Sequence, residues 1–211
     1  MLDKNNIYMY TEHEGNACEL LLDMQLKYSQ VQIFKSFVSS NGVLFFYQRC
    51  SMINGHFYYI SDKYFQDFQD DKLMSNKEIA NGIAHDRPCF YAFQDNKTKL
   101  FWLIPISSQV EKYKAIYARK LAKYHRCDTL FFAEVLGYEK VFLLQNMCPV
   151  SQAYIKNEYC SVRTGEAVKL KFSIERELTK KAKKVLAMHR KGIGLIFPDV
   201  SVIEMKLLKQ L

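Results

Sequence analysis

Ser107, Ser108 and Lys112 place two hydroxyls and one ammonium within six residues, where a hydrophobic run, Leu100 to Ile104, gives way to a basic amphipathic one. The stretch Pro105-Ile106-Ser107-Ser108-Gln109-Val110-Glu111-Lys112 reads as a strand end followed by a helix N-terminus. Backbone N–H groups lack intrahelical partners there, and the positive end of the helix dipole points outward. Such donors suit a phosphate. Lys112 follows Ser108 by four residues, the spacing that shares a helix face. Arg87, at the entry to the preceding strand, is placed to converge on the turn, and Tyr64 to flank it. Cleavage of RNA without a metal asks for groups of this kind: a base near the 2′-OH, a cation on the scissile phosphate and a donor for the leaving oxygen. Each residue also has a plainer reading. A serine before a helix is most often only a cap, and a lysine on a helix usually faces solvent.

The elements that must hold these groups are legible beyond Met52. Phe57-Tyr58-Tyr59-Ile60 reads as a strand, and Ser61 as the N-cap of a short helix through Phe68 that carries Tyr64. Asp67 to Ala84 reads as a polar loop with a helical turn. Arg87-Pro88 leads into a strand, Cys89 to Gln94, and Asp95-Asn96-Lys97-Thr98 turns it back into Leu100 to Ile104. Ser107 or Ser108 then caps a helix that runs to about His125. Thr129 to Leu136 and Lys140 to Gln145 form a second hairpin across Gly137-Tyr138-Glu139. A short helix near Ser151 to Tyr159 and a strand around Val168 to Phe172 follow. Ser173 caps a helix to Arg190 that Gly192 ends. Its acidic first turn and basic last turns complement the dipole. Leu195 to Phe197 reads as a last strand, and Asp199 as the cap of a C-terminal helix. The pattern is α+β, antiparallel hairpins with interspersed helices, and a compact, curved or barrel-like sheet.

Residues 1–51 carry no clear amphipathic period. Cys18 to Tyr28 reads as a short helix and Val43 to Tyr47 as a strand. This segment is taken as an N-terminal extension of uncertain order, or as translation from an early start codon, and 52–211 as the working domain.

Composition narrows the partners. The 211 residues carry a net charge of +8. Residues 52–211 hold 26 of the 30 basic groups and 17 of the 22 acidic ones, a net of +9, against −1 for 1–51. Such a field attracts polyanions without choosing a sequence. Lys114, Arg119, Lys120 and Lys123 on the first long helix, and Lys180, Lys181, Lys183 and Lys184 on the second, read as basic faces for RNA, with Tyr113 and Tyr124 as exposed rings for splayed bases. A lysine-rich solubilising surface is the alternative. The six cysteines, Cys18, Cys50, Cys89, Cys127, Cys148 and Cys160, show no CxxC spacing. They read as buried free thiols in a reducing cytoplasm, with neither a disulfide frame nor a zinc site. No apolar run approaches a membrane span, and the first residues lack a signal-peptide pattern. His85 is a candidate base by residue type, since an unperturbed imidazole titrates near neutrality, but it reads as a loop histidine, and His125 as a dipole partner at a helix end.

Four stretches in order resemble a known family: Phe57-Tyr58-Tyr59-Ile60-Ser61-Asp62-Lys63-Tyr64, Arg87-Pro88-Cys89-Phe90-Tyr91-Ala92-Phe93, Phe101 to Tyr113 around Ser107-Ser108, and Phe142-Leu143-Leu144-Gln145-Asn146-Met147-Cys148-Pro149-Val150. They are similar to the toxins of type III toxin–antitoxin systems, the TenpN group related to ToxN and AbiQ, over about 52–211. The resemblance implies a metal-independent endoribonuclease with a highly curved antiparallel sheet like that of MazF and Kid, and no cofactor. It implies 2′-OH attack that leaves a 2′,3′-cyclic phosphate and a 5′-hydroxyl. It further implies a repeat RNA antitoxin, processed and held in a closed protein–RNA assembly, and cellular or phage transcripts as substrates in abortive infection. Tyr64, Ser107 and Ser108 match positions of the family's motifs. Lys112 lies farther from the serine pair than the family's lysine, and Arg87 is offset from another. The resulting roles are Ser108 on the scissile phosphate, Ser107 in support, Lys112 and Arg87 on phosphate charge, and Tyr64 on the ribose or a base. A non-catalytic basic RNA-binding protein is the alternative, and a sheet-barrel toxin with a peptide antitoxin a third.

Overall fold

The computed structural model describes residues 52–79 and 82–210 with their side chains, and Ala80 and three upstream strands by their backbone. Contacts divide the chain into two units, Met1–Met52 and Ile53–Leu211. In the first unit, β1 (Ile7–Tyr10), β2 (Val31–Phe37) and β3 (Leu44–Cys50) form an antiparallel sheet in the order β1-β3-β2. Its registers run from Val31 opposite Cys50 to Phe37 opposite Leu44, and from Ile7 opposite Tyr47 to Tyr10 opposite Leu44. β3 covers most of the strand read at Val43 to Tyr47. The helix read over Cys18 to Tyr28 lies outside the described residues.

The second unit is built on a seven-stranded antiparallel sheet. Its strands are β4 (Phe57–Ile60), β7 (Pro88–Gln94), β8 (Phe101–Ser107), β9 (Leu130–Val135), β10 (Tyr138–Leu143), β11 (Cys148–Val150) and β12 (Ile155–Glu158). The order is β12-β4-β7-β8-β10-β9, with β11 also on β8. β10 pairs the end of β8, Val141 opposite Ser107, and β11 pairs its start, Val150 opposite Phe101; a 3-10 turn, Leu144–Asn146, joins the two. Among the described residues the sheet is open, with β12 and β9 at its ends, and does not close into a barrel.

Four helices accompany it among the described residues: α1 (Asp62–Asp67), α2 (Val110–Tyr124), α3 (Phe172–Arg190) and α4 (Val200–Leu208). Strands β7 and β8 are buried along almost their whole length. Continuous apolar runs of this kind belong to strands covered on both faces. On one face α3 lays Leu178, Ala182, Val185 and Leu186 into a core with Phe57, Phe90, Trp102 and Phe142. The alternate residues of β10, Val141 and Leu143, point the other way and meet Tyr113 of α2 and Leu130 of β9.

Several elements differ from the reading of the sequence. Residues 77–86 are not a loop but a hairpin of β5 (Lys77–Ala80) and β6 (Ile83–Asp86), with Gly82 at φ +76° in its turn. The signal was present as Asn81-Gly82 between Ile79 and Ile83, the dipeptide that supplies two positive-φ positions to a tight hairpin. The helix read near Ser151 to Tyr159 is a 3-10 turn, Gln152–Tyr154, and then β12, an edge strand bulged between Ile155 and Asn157. Val168 to Phe172 makes only one isolated bridge, Lys169 with His56, next to a second at Ala167, and α3 begins at Phe172 with Lys171 in the cap position in place of Ser173. Leu195 to Phe197 is not a strand; the Phe197 N–H donates to the Gln145 carbonyl at 2.7 Å. Asp199 does cap α4, accepting from the Val202 N–H at 3.2 Å.

Candidate phosphate site at the end of strand β8

β8 runs three residues past the expected end, through Pro105 and Ile106 to Ser107. Its partner β10 forces this, since Val141 and Phe142 pair with Ser107 and Ile106. Ser107 is therefore a strand residue, 2 % exposed. Its hydroxyl oxygen accepts from the Gln109 N–H at 3.2 Å and shapes the turn. Gln109 holds the cap position of α2, which starts at Val110. Neither serine side chain caps the helix. Ser108 remains exposed at the turn.

Both donors of Ser108 are directed at one group that sequence reasoning did not single out, the Glu78 carboxylate. Glu78 Oε1 accepts from the Ser108 hydroxyl at 2.7 Å and from its backbone N–H at 3.2 Å. Glu78 lies in β5, opposite His85 of β6, which sits in a strand and not in a loop.

Arg87 lies beneath this pair. Continuing the β7–β8 register, in which Cys89 faces Pro105, sets Arg87 level with Ser107. Its side chain is 8 % exposed. Nε donates to the Ser75 carbonyl at 2.9 Å, Nη1 to Ile106 at 2.9 Å and Nη2 to Lys77 at 3.4 Å. Nη1 also stands 3.5 Å from Glu78 Oε2. Arg87 is thus a buried cation that ties the hairpin base to β8, not a free phosphate contact. Tyr113 senses the same groups. Burial pushes its phenol upward, with Arg87 opposing and Glu78 adding to the shift.

Lys112 is exposed on the first turn of α2, its Nζ 5.8 Å from the Tyr113 ring centroid. It forms no ion pair among the described residues. Tyr64 is placed elsewhere. It is fully buried, its hydroxyl donates to the Pro149 carbonyl at 2.9 Å, and its ring packs against Phe68 and Tyr154. Burial raises its phenol well above the ordinary value. It is a core anchor with no face free to meet a base or ribose. The structure thus brings together Ser107, Ser108 and Arg87, keeps Lys112 on the adjoining turn, and leaves Tyr64 out.

The basic residues separate just as clearly. Lys114 is held by Glu139 at 2.8 Å and Glu111 at 3.3 Å. Lys120 donates to Thr129 Oγ1 and Gln145 Oε1, both at 2.7 Å, and burial lowers its ammonium from the ordinary lysine range. Lys181 donates to the Leu130 carbonyl at 3.4 Å, and Lys184 pairs with Asp128 at 3.3 Å. Lys183 lies 5.4 Å from the Phe93 ring centroid, and Lys123 5.1 Å from that of the exposed Tyr124. Arg119 and Lys180 are exposed. Tyr113 is buried, so Tyr124 alone of the two rings read as exposed is so. Cys89, Cys127 and Cys148 are buried free thiols, with burial pushing Cys148 to about 12, while Cys160 is exposed.

Away from this turn, His56 Nδ1 lies 2.6 Å from Glu158 Oε1, and the Tyr58 hydroxyl donates to the same oxygen at 3.2 Å while accepting from the Ile53 N–H at 2.9 Å. These contacts pin β12 to the start of β4. No helix among the described residues is long and apolar enough to cross a membrane. No protein-family model matches the chain, and no curated protein matches it.

Proposed function

We propose that this chain is a metal-independent endoribonuclease, the toxin of a type III toxin–antitoxin system of the TenpN group, working in the cytoplasm. The observation that carries the reading is the turn after β8, where an exposed Ser108 presents a hydroxyl and an N–H together over the buried Arg87 cation. Two aligned donors and a cation are what a phosphodiester needs as charge builds on its oxygens during 2′-OH attack. In this scheme Ser108 donates to a non-bridging oxygen, Ser107 fixes the turn through Gln109, and Lys112 neutralises developing charge. Arg87 acts from below, as a fixed positive field. The 2′-hydroxyl gives its proton to a solvent water as its oxygen bonds to phosphorus, the bond to the 5′-oxygen breaks and that oxygen takes a proton from solvent, and a 2′,3′-cyclic phosphate and a 5′-hydroxyl result.

The net charge of +9 over residues 52–211 supports an RNA partner. Within the same reading, a repeat RNA antitoxin in a closed protein–RNA assembly blocks the turn, and host or phage transcripts are the substrates in phage defence. The likeness to the MazF and Kid sheet comes with the resemblance to the TenpN group, and the antiparallel sheet with flanking helices is compatible with it in an open form.

A second reading is a non-catalytic RNA-binding protein. One observation favours it: both Ser108 donors are already taken by Glu78. The deciding experiment is cleavage of a defined RNA by the purified chain, freed of bound RNA, in EDTA. Fragments ending in 2′,3′-cyclic phosphate, absent with Ser108→Ala, support the nuclease. Tight RNA binding with no cleavage supports the binding protein.

A further inference from the structure

We infer that Glu78 is an internal competitor for phosphate, and that the β5–β6 hairpin carrying it lifts from the Ser108 turn when a phosphodiester binds there. The inference rests on Ser108 as the phosphate contact proposed above, and adds how that contact is kept closed. The two oxygens of the Glu78 carboxylate span the turn as two phosphate oxygens would. Oε1 takes the Ser108 hydroxyl and N–H at 2.7 and 3.2 Å, and Oε2 stands 3.5 Å from Arg87 Nη1. A donor engaged at 2.7 Å is not open to a second strong acceptor. Glu78 and phosphate therefore exclude one another.

Arg87 decides what can displace Glu78. Its side chain is 8 % exposed, and among the described residues Glu78 is its carboxylate partner. A buried guanidinium stripped of its counter-ion is strongly disfavoured. Glu78 thus leaves only as another anion arrives, and water alone does not open the turn. The exchange swaps one anion for another over the same cation.

The hairpin is built to move about a fixed base. Its base is held by the Arg87 N–H on the Asn76 carbonyl, by Arg87 Nε on Ser75, by Lys77 with Asp62 and Asp86, and by Lys156 with Asp86 at 2.7 Å. Beyond Lys77, the side-chain hydrogen bonds and ion pairs to the rest of the unit run through Glu78 among the described residues. Ile79 and Ile83, on either side of the turn, are 76 % and 61 % exposed. With little apolar burial to break, the outer hairpin is held chiefly by the contact a phosphate would replace.

The test compares the full chain with Glu78→Gln, using inorganic phosphate and a short single-stranded oligodeoxynucleotide, which has no 2′-OH to cleave. Removing the competitor raises the fraction of open sites, so Glu78→Gln should bind both probes about 5- to 10-fold more tightly. Glu111→Gln, the same charge change on α2, should alter affinity less than about 2-fold. In the unmodified chain, saturating oligodeoxynucleotide should speed amide exchange in β5 and β6 while β7 and β8 stay protected. Hairpin amides that instead gain protection, or unchanged affinity in a folded Glu78→Gln, overturn the inference. Cleavage in EDTA is read alongside. Tighter probe binding with no cleavage by any variant overturns the nuclease reading and leaves the competitor standing; Ser108-dependent cleavage with unchanged affinity in Glu78→Gln does the reverse.

Discussion

The Arg87 guanidinium donates through Nη1 to the carbonyl of Ile106 at 2.9 Å, joining the entry of β7 to the residue before Ser107. The same group closes on Ser75 and Lys77, so one side chain fixes the strand end and the hairpin base together. Arg87→Ala strands three carbonyls and leaves Glu78 without its buried cation. A loss of about 3–5 kcal/mol follows for a buried pair broken on one side. Arg87→Lys keeps the charge but not the fork, and should recover only part of it. Urea unfolding measures both. A loss under about 1 kcal/mol for Arg87→Ala would mean that the guanidinium is not what closes this corner.

Tyr64 gives a second stability prediction. Tyr64→Phe removes only the hydroxyl that donates to Pro149 and should cost about 1 kcal/mol. Tyr64→Ala also empties a space between Phe68 and Tyr154 and should cost about 3–5 kcal/mol. Weakened RNA binding at unchanged stability would restore the surface role read from the sequence.

The central fold was legible because its strands obey simple patterns. β4, β7, β8, β9 and β10 are short apolar runs punctuated by turns, and α2 and α3 carry the helical period with basic outer faces. The elements that escaped lack such a pattern. β12 has one aliphatic residue in four, because an edge strand at the surface needs no more. β5–β6 reads as a polar loop despite Asn81-Gly82, which hides Glu78 as well. The site was half legible for a related reason. Spacing put Ser107, Ser108 and Lys112 at one turn, but local spacing holds no record of what is buried. Ser107 is drawn into the sheet by β10, Arg87 by three distant carbonyls, and Tyr64 by β11's Pro149.

The two kinds of lysine on α2 should separate under salt. Arg119 and Lys123 are exposed, while Lys120 bridges Thr129 and Gln145. If Arg119 or Lys123 meets RNA phosphate, its replacement by alanine reduces the slope of log affinity against log salt by about 0.7–0.9. Lys120→Met should leave that slope alone and lower stability by about 1–2 kcal/mol, since Thr129 and Gln145 each lose a hydrogen bond and Gln145 Oε1 keeps only the longer one from the Thr129 hydroxyl at 3.3 Å. Titrations at several salt concentrations, paired with unfolding curves, distinguish the cases. Equal slope changes for all three would place Lys120 at the RNA as well.

The base of the hairpin should weaken in acid. Asp86 carries opposed influences: burial pulls its carboxyl upward, but Lys156 and Lys77 outweigh this and hold it below the ordinary value. A carboxyl depressed in the folded state binds fewer protons than in the unfolded chain. Its contribution is therefore present above the unfolded value, about 3.9, and is lost as pH falls through the lower folded value. Between about pH 5 and 7 this contribution is flat; it declines below about pH 4 and is gone only below the folded value. Asp86→Asn has no such group to protonate. The unmodified chain should therefore be the more protected in β5 and β6 near neutrality, and the two should converge in acid. Amide exchange of residues 77–86, followed from pH 7 to pH 3 at low salt, measures the gap. A gap that persists undiminished below pH 3 would show that hydrogen-bond geometry at Asp86, and not its charge, secures the hairpin to Lys77 and Lys156.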